Sequence, residues 1–295
     1  MIKLSNNQPL EFLAASGSLG FDGRGYLWER PWLWSKWLDP SAFTIVLKTL
    51  TYYERKGNWR GYNPHRVVKR LKGGGHVNSI GLTNPGFFSW FENVAPQLNP
   101  SWKFIVSIAS TSIDEIITMA QRLNNFPLVA VEFNASCPNS VDHGVLLENT
   151  KQVVLLVQNL LVYSRHPIIL KLSCQQDYLK IVEQLAGGIQ AISINSVPWS
   201  AAFGSKQSPL PKKFGTGGVS GRAAQFHNWT MIRKLIERSQ IPVIGASVWN
   251  YADLITLKKI GVGAVAFGSV FIRLPFYPGL PNEYINHWRK EYGEF

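Results

Sequence analysis

The stretch LVAVEFNASCPNS, residues 128–140, decides how the chain is read. Its first half is a run of β-branched, aromatic and aliphatic residues, the composition of a strand covered by packing. The run ends in Asn134, Cys137, Pro138 and Asn139, which strands avoid and loops accept. A strand that ends in two amides and a thiol points to a fold in which strand ends deliver polar groups to a shared pocket.

Seven other runs share this character: LEFLAAS (10–16), FTIVLKT (43–49), KFIVSIA (103–109), PIILKLS (167–173), AISINS (191–196), IPVIGA (241–246) and AVAFGS (264–269). Between them lie segments such as SIDEIITMAQRLNNF (112–126) and DYLKIVEQLAGG (177–188), with acidic residues at the start and apolar residues three and four apart. Eight β-rich runs alternating with helical segments predict an α/β fold, a single (β/α)8 TIM barrel over residues 1–295. Residues 52–100 exceed an ordinary βα connection, and GGGHVNSIGLTNPG (73–86) within them reads as loop with strand fragments. This predicts an excursion after the second strand that covers the barrel mouth.

Lys and Arg number 30 against 18 Asp and Glu, a net charge of +12 that favours anionic partners. The basic residues are dispersed, densest at 66–72 and 212–214, so nucleic acid is not an expected partner. Cys137 and Cys174 are too few for a disulfide scaffold or a metal cluster, and no metal is expected. The amino-terminal MIKLSNNQPLEF has no targeting pattern, and no apolar run approaches membrane-spanning length. The expectation is a soluble, cytoplasmic protein without a membrane partner. Three of the eleven tryptophans fall in WLWSKWLDP (32–40), read as packing in preference to a subunit interface.

In a barrel, reactive groups belong at the carboxyl ends of the strands. Lys48, Asn134, Lys171, Asn195 and Ser196 stand at or near such ends. An unpaired lysine there is costly, and an anion facing both lysines would offset that cost. Cys137 lies between amides in a loop, where a thiol can act as base or nucleophile, whereas Cys174 is read as structural. GTGGVSG (215–221), GASV (245–248) and FGS (267–269) offer main-chain N–H groups to a phosphate.

These residues together resemble the dihydroorotate dehydrogenase family, in particular its class 1 branch. NASCPN matches the N-x-S-C-P-N motif of class 1, TIVLKTLTYYERKGN (44–58) resembles the segment around the first flavin lysine, and HVNSIGLTNPG (76–86) resembles the substrate loop. The resemblance spans about residues 15–271. It implies FMN as cofactor, dihydroorotate and orotate as substrate and product, and a place in pyrimidine biosynthesis. Cys137 would be the catalytic base and Lys171 would touch the flavin. Lys48, Asn78, Ile80, Gly81, Leu82, Asn134, Asn139, Asn195 and Ser196 would hold the substrate. Ala15, Ser16, Gly17, Lys48, Thr49, Asn134 and Lys171 would hold the flavin ring, with Gly217, Gly218, Gly245, Gly268 and Ser269 around the ribityl phosphate.

One departure stands out. The family carries G-x-G-G after the seventh strand, where this chain has Gly245-Ala246-Ser247-Val248, with larger residues at two glycine positions. The class implies either fumarate as acceptor in a homodimer or an electron-transfer partner subunit passing electrons to NAD. Ser107 and the Asn195-Ser196 pair lean toward fumarate. Rival readings are a flavin barrel acting on another pyrimidine or cyclic amide, and a flavin-free basic barrel that binds nucleic acid or a protein.

Overall fold

The computed structural model describes residues 1–59, 64–136, 146, 148–273 and 276–295. Each of the eight β-rich runs contains a strand: β1 Phe12–Ala14, β2 Thr44–Val46, β3 Lys103–Ile108, β4 Ala130–Asn134, β5 Ile168–Leu172, β6 Ala191–Ile194, β7 Ile244–Gly245 and β8 Ala264–Phe267. They pair in parallel in the order β6-β5-β4-β3-β2-β1-β8-β7. A parallel bridge between Ile192 and Val243 and an N–H···O bond of 2.9 Å from Ile192 to Pro242 bring β6 to β7 and close the barrel.

Strand alternation explains why these runs read as continuously apolar. In β4, Val131 and Phe133 point outward into the large core under the helices, while Ala130 joins an interior cluster with Leu13, Val46, Ile105, Ile169, Ala191, Ile244 and Ala264. Both faces are therefore buried. Ile2, Leu4 and Leu10, from and beside the hairpin of Ile2–Lys3 with Pro9–Leu10, extend this interior cluster. Further along the same inward faces the apolar layer gives way to Ser107 and Glu132, paired across β3 and β4, and then to Asn134, Lys171 and Ser193, paired across β4 to β6. The barrel is thus filled with hydrocarbon at one end and polar groups at the other.

The helix Ile113–Leu123 shows how local sequence sets the outer layer. Ser112 caps its first turn by accepting from the Glu115 N–H, and Ile116, Met119, Ala120 and Leu123 bury one stripe. The excursion after β2 divides into two parts. Val68–Arg70 and His76–Asn78 form antiparallel strands, continued by Gly218–Ser220 and Val197–Pro198 from the segment after β6. This small sheet borders the cleft at the mouth. The later part contains the helix Phe87–Asn93, whose Phe87 and Trp90 are buried in the main core, so it belongs to the outer layer.

Candidate active site

A cleft of about 1040 Å³ opens at the carboxyl ends of the strands, walled by the strand ends and by the small sheet. Its volume is that of a large ligand site. Ala15, Ser16 and Gly17 follow β1, Lys48 and Thr49 follow β2, Asn134 ends β4, Lys171 lies in β5, Asn195 and Ser196 follow β6, and Gly268 and Ser269 follow β8; all line it. Asn78, Ile80, Gly81 and Leu82 line it from the excursion. Cys137 and Asn139 lie outside the described residues.

Three glycines expected at the cofactor do not line the cleft. Gly218 is paired with Asn78 in the small sheet. A Cβ on Gly217, whose φ is +84°, would meet the Asn78 carbonyl at 2.7 Å and Leu210 at 2.6 Å. Gly245 packs against Leu257 and Val262. These positions lack a side chain because backbone or helix approaches them closely, and Ser220, Gly221 and Ala246–Val248 line the cleft nearby.

Lys171 is buried and makes an ion pair of 3.3 Å with Glu132. Glu132 in turn accepts 2.8 Å bonds from Ser107 Oγ and Ser193 Oγ. A hydroxyl chain continues from Ser107 to Thr49 (2.9 Å) and Ser16 (3.1 Å), reaching the cleft wall. The expected anion facing Lys171 is therefore already present as a protein carboxylate. Glu132 is not among the residues expected at the site, although a charge in the middle of an apolar strand marks it in the sequence. Lys48, only 9% exposed, lies 5.8 Å from the ring centre of Phe21, a cation–π contact.

The amides are held in place by a serine between them. Ser136 N–H and Oγ both meet Asn134 Oδ1, and Asn195 Nδ2 donates to Ser136 O at 2.8 Å and to its Oγ at 3.0 Å. Asn134 Nδ2 also donates to Thr49 Oγ1 at 3.2 Å. The ends of β2, β4 and β6 are thereby cross-linked by polar groups at the edge of the cleft. Ser107, by contrast, is fully buried and meets the site only through its hydrogen bonds.

Residues 20–273 match the family model described as Dihydroorotate dehydrogenase. The chain belongs to the dihydroorotate dehydrogenase family. It is 30% identical to the catalytic subunit of dihydroorotate dehydrogenase B (NAD(+)) of Petrotoga mobilis, over 87% of this chain and 83% of that one. The corresponding protein of Geobacillus kaustophilus is 30% identical over 92% and 84%. Dihydroorotate dehydrogenase A (fumarate) of Lactiplantibacillus plantarum is also 30% identical, over 79% and 77%. Relatives of both acceptor types thus match at the same identity, the fumarate type over a smaller share of each chain.

The loop after β7, expected beside the ribityl phosphate, has larger residues at two expected glycine positions. Ser247 has a φ of +67°, the left-handed region that glycine occupies at no cost, while Val248 has no positive φ. Ser247 is held there by Asn228 Nδ2, which donates to its Oγ at 2.9 Å, and by Gln225 Nε2, which donates to its carbonyl at 3.1 Å. The Asp253 carboxylate then accepts the main-chain N–H groups of Trp249 and Asn250. Side-chain bonds from two helices hold the backbone of this loop.

These residues fit a flavin mononucleotide. The cleft is lined by two buried ammonium groups, Lys48 and Lys171, and by the loops after β7 and β8. It also contains buried polar atoms without a hydrogen-bond partner among the described residues, Asn228 Oδ1 and His76 Nδ1. No helix among the described residues is long and apolar enough to cross a membrane.

Proposed function

We propose that the protein oxidises dihydroorotate to orotate with FMN as cofactor, in pyrimidine biosynthesis. The observation that carries this reading is the gathering of Lys48, Lys171, Asn78, Asn134 and Asn195 on one cleft at the barrel mouth. Two cations suit a carboxylate and a reduced flavin, and three carboxamides suit a cyclic ureide that both donates and accepts hydrogen bonds. FMN, when bound, supplies a hydride acceptor for C6 of the substrate.

Each side chain has a distinct task. Cys137 takes the C5 proton, as the class 1 motif around it implies. Lys171, held by Glu132, presents positive charge where negative charge accumulates on the flavin ring. Asn134 and Asn195, fixed by Ser136, orient the pyrimidine ring. Fumarate, whose carboxylate suits the Lys48 ammonium, is the acceptor we propose. The relatives named catalytic subunits support a second reading, in which a partner subunit removes the electrons.

Anaerobic mixing with dihydroorotate tests the proposal. The purified protein is expected to be yellow and to bleach at the flavin bands within the mixing experiment, with fumarate restoring the colour and dihydrouracil leaving it unchanged. Protein that is colourless and takes up no added FMN, or that bleaches only with dihydrouracil, refutes it.

A further inference from the structure

The small sheet brings a second functional side chain to the cleft beside Asn78. In its ladder His76 stands opposite Ser220 on one side and Arg70 on the other, two residues from Asn78 and so on the same face. All four line the cleft. His76 is only 5% exposed, and its Nδ1 is buried with no hydrogen-bond partner among the described residues. A buried imidazole left in this way is costly unless a ligand engages the ring.

The surroundings identify which part of a ligand that is. The His76 ring packs against the indole of Trp249, with ring centres 5.8 Å apart, and Arg273 stacks on the same indole at 5.2 Å. Trp249 directly follows the cleft-lining loop after β7. A Cβ placed on Gly221 would lie 2.8 Å from Ser269 Oγ, 2.9 Å from Gly75 Cα and 2.9 Å from Trp249. The strand carrying His76 therefore meets the loops after β7 and β8 at one place. Those two loops are where barrels of this kind hold phosphate groups.

We propose that His76 is a ligand of the flavin phosphate monoester, supplying a side-chain hydrogen bond beside a loop in which serine and valine replace glycines. The proposal rests on the reading of the protein as FMN-dependent. Burial first, and then the neighbouring Arg70, lower the imidazole pKa to about 4. Without a ligand the ring is neutral at pH 7, and an N–H of the ring can point to a phosphate oxygen.

Comparison of FMN with riboflavin isolates this contact, because riboflavin shares the ring and ribityl chain and lacks the phosphate. Flavin-stripped protein is titrated with each, and binding is followed by flavin fluorescence. His76→Phe keeps a ring against Trp249 without nitrogens. It is expected to weaken FMN binding by about tenfold or more, the scale of one charge-assisted hydrogen bond, and to leave riboflavin binding unchanged. His76→Gln, which retains a donor, is expected to recover part of the loss. Should His76→Phe not fold, His76→Leu gives the same comparison with a smaller side chain. An FMN-to-riboflavin preference that is the same in wild type and variant overturns the proposal while leaving FMN dependence intact. A wild-type protein that binds neither flavin overturns both.

Discussion

Lys171 and Glu132 illustrate how a buried charge is tolerated. Two ionised groups inside a barrel cost solvation, and the pair persists because Ser107 and Ser193 fill the remaining acceptor sites of the carboxylate. Glu132→Ala removes the carboxylate partner of the ammonium and of the Ser193 hydroxyl, while Ser107 keeps its bond to Thr49. A loss of about 3–5 kcal/mol in urea unfolding is expected. The double variant Glu132→Leu with Lys171→Met removes both charges and is expected to recover most of that loss, and failure to recover places the cost elsewhere in the network. At the same scale, Cys137→Ala is expected to leave the protein yellow while slowing flavin reduction by dihydroorotate at least about a hundredfold, measured by stopped flow.

Among the elements, the loop after β7 and the loop after β1 are the most instructive. Ser247 pays roughly 1–2 kcal/mol for its left-handed backbone, and the bonds from Asn228 and Gln225 offset it. Asn228→Ala is expected to destabilise the protein by about 1–2 kcal/mol. Adding Ser247→Gly is expected to restore part of this, since glycine needs no side-chain bond to hold a positive φ. If the double variant is no better than the single one in chemical denaturation, Asn228 does not act through the loop conformation.

In the loop after β1, Glu29 is buried and accepts the Tyr26 N–H at 2.8 Å, and its other oxygen has no partner among the described residues. Burial pushes this carboxyl up to about 7, against the opposing pull of the Tyr26 N–H. The folded protein thus holds the proton more tightly than the unfolded chain. This contribution is complete below the ordinary carboxyl pKa and is lost as pH rises through about 7. Glu29→Gln keeps the acceptor without the titration. Its stability relative to wild type is expected to rise between pH 5 and pH 8 by roughly 3 kcal/mol at most, read from urea midpoints. A flat difference across that range excludes the mechanism.

Across the whole molecule, the barrel is not equally laddered. Four residue pairs join β3 to β4 and four join β4 to β5, whereas two join β7 to β8 and one bridge joins β6 to β7. Lys171, Asn134 and Asn195 sit on or just after the strongly paired strands, and the loops proposed to hold the phosphate follow β7 and β8, which share only two pairs. Amide exchange is expected to be faster at Ile244 and Gly245 than at Val131 and Phe133, and FMN is expected to slow it chiefly at β7. Equal protection around the barrel contradicts this division.

The eight strands and the polar character of their ends were written in consecutive residues, because burial on both faces demands apolar runs and a pocket demands that they stop. Lys48, Asn134, Lys171 and Asn195 could be picked out for the same local reason. The partner of Lys171 could not, since Glu132 lies 39 residues away and meets it only when β4 and β5 pair. Nor could the pairing of His76 with Ser220, the displacement of Gly217, Gly218 and Gly245 from the cleft wall, or the clamp on Ser247 be read from neighbours in the chain. Such contacts depend on distances that exist only after the barrel closes, and tertiary structure alone decides them.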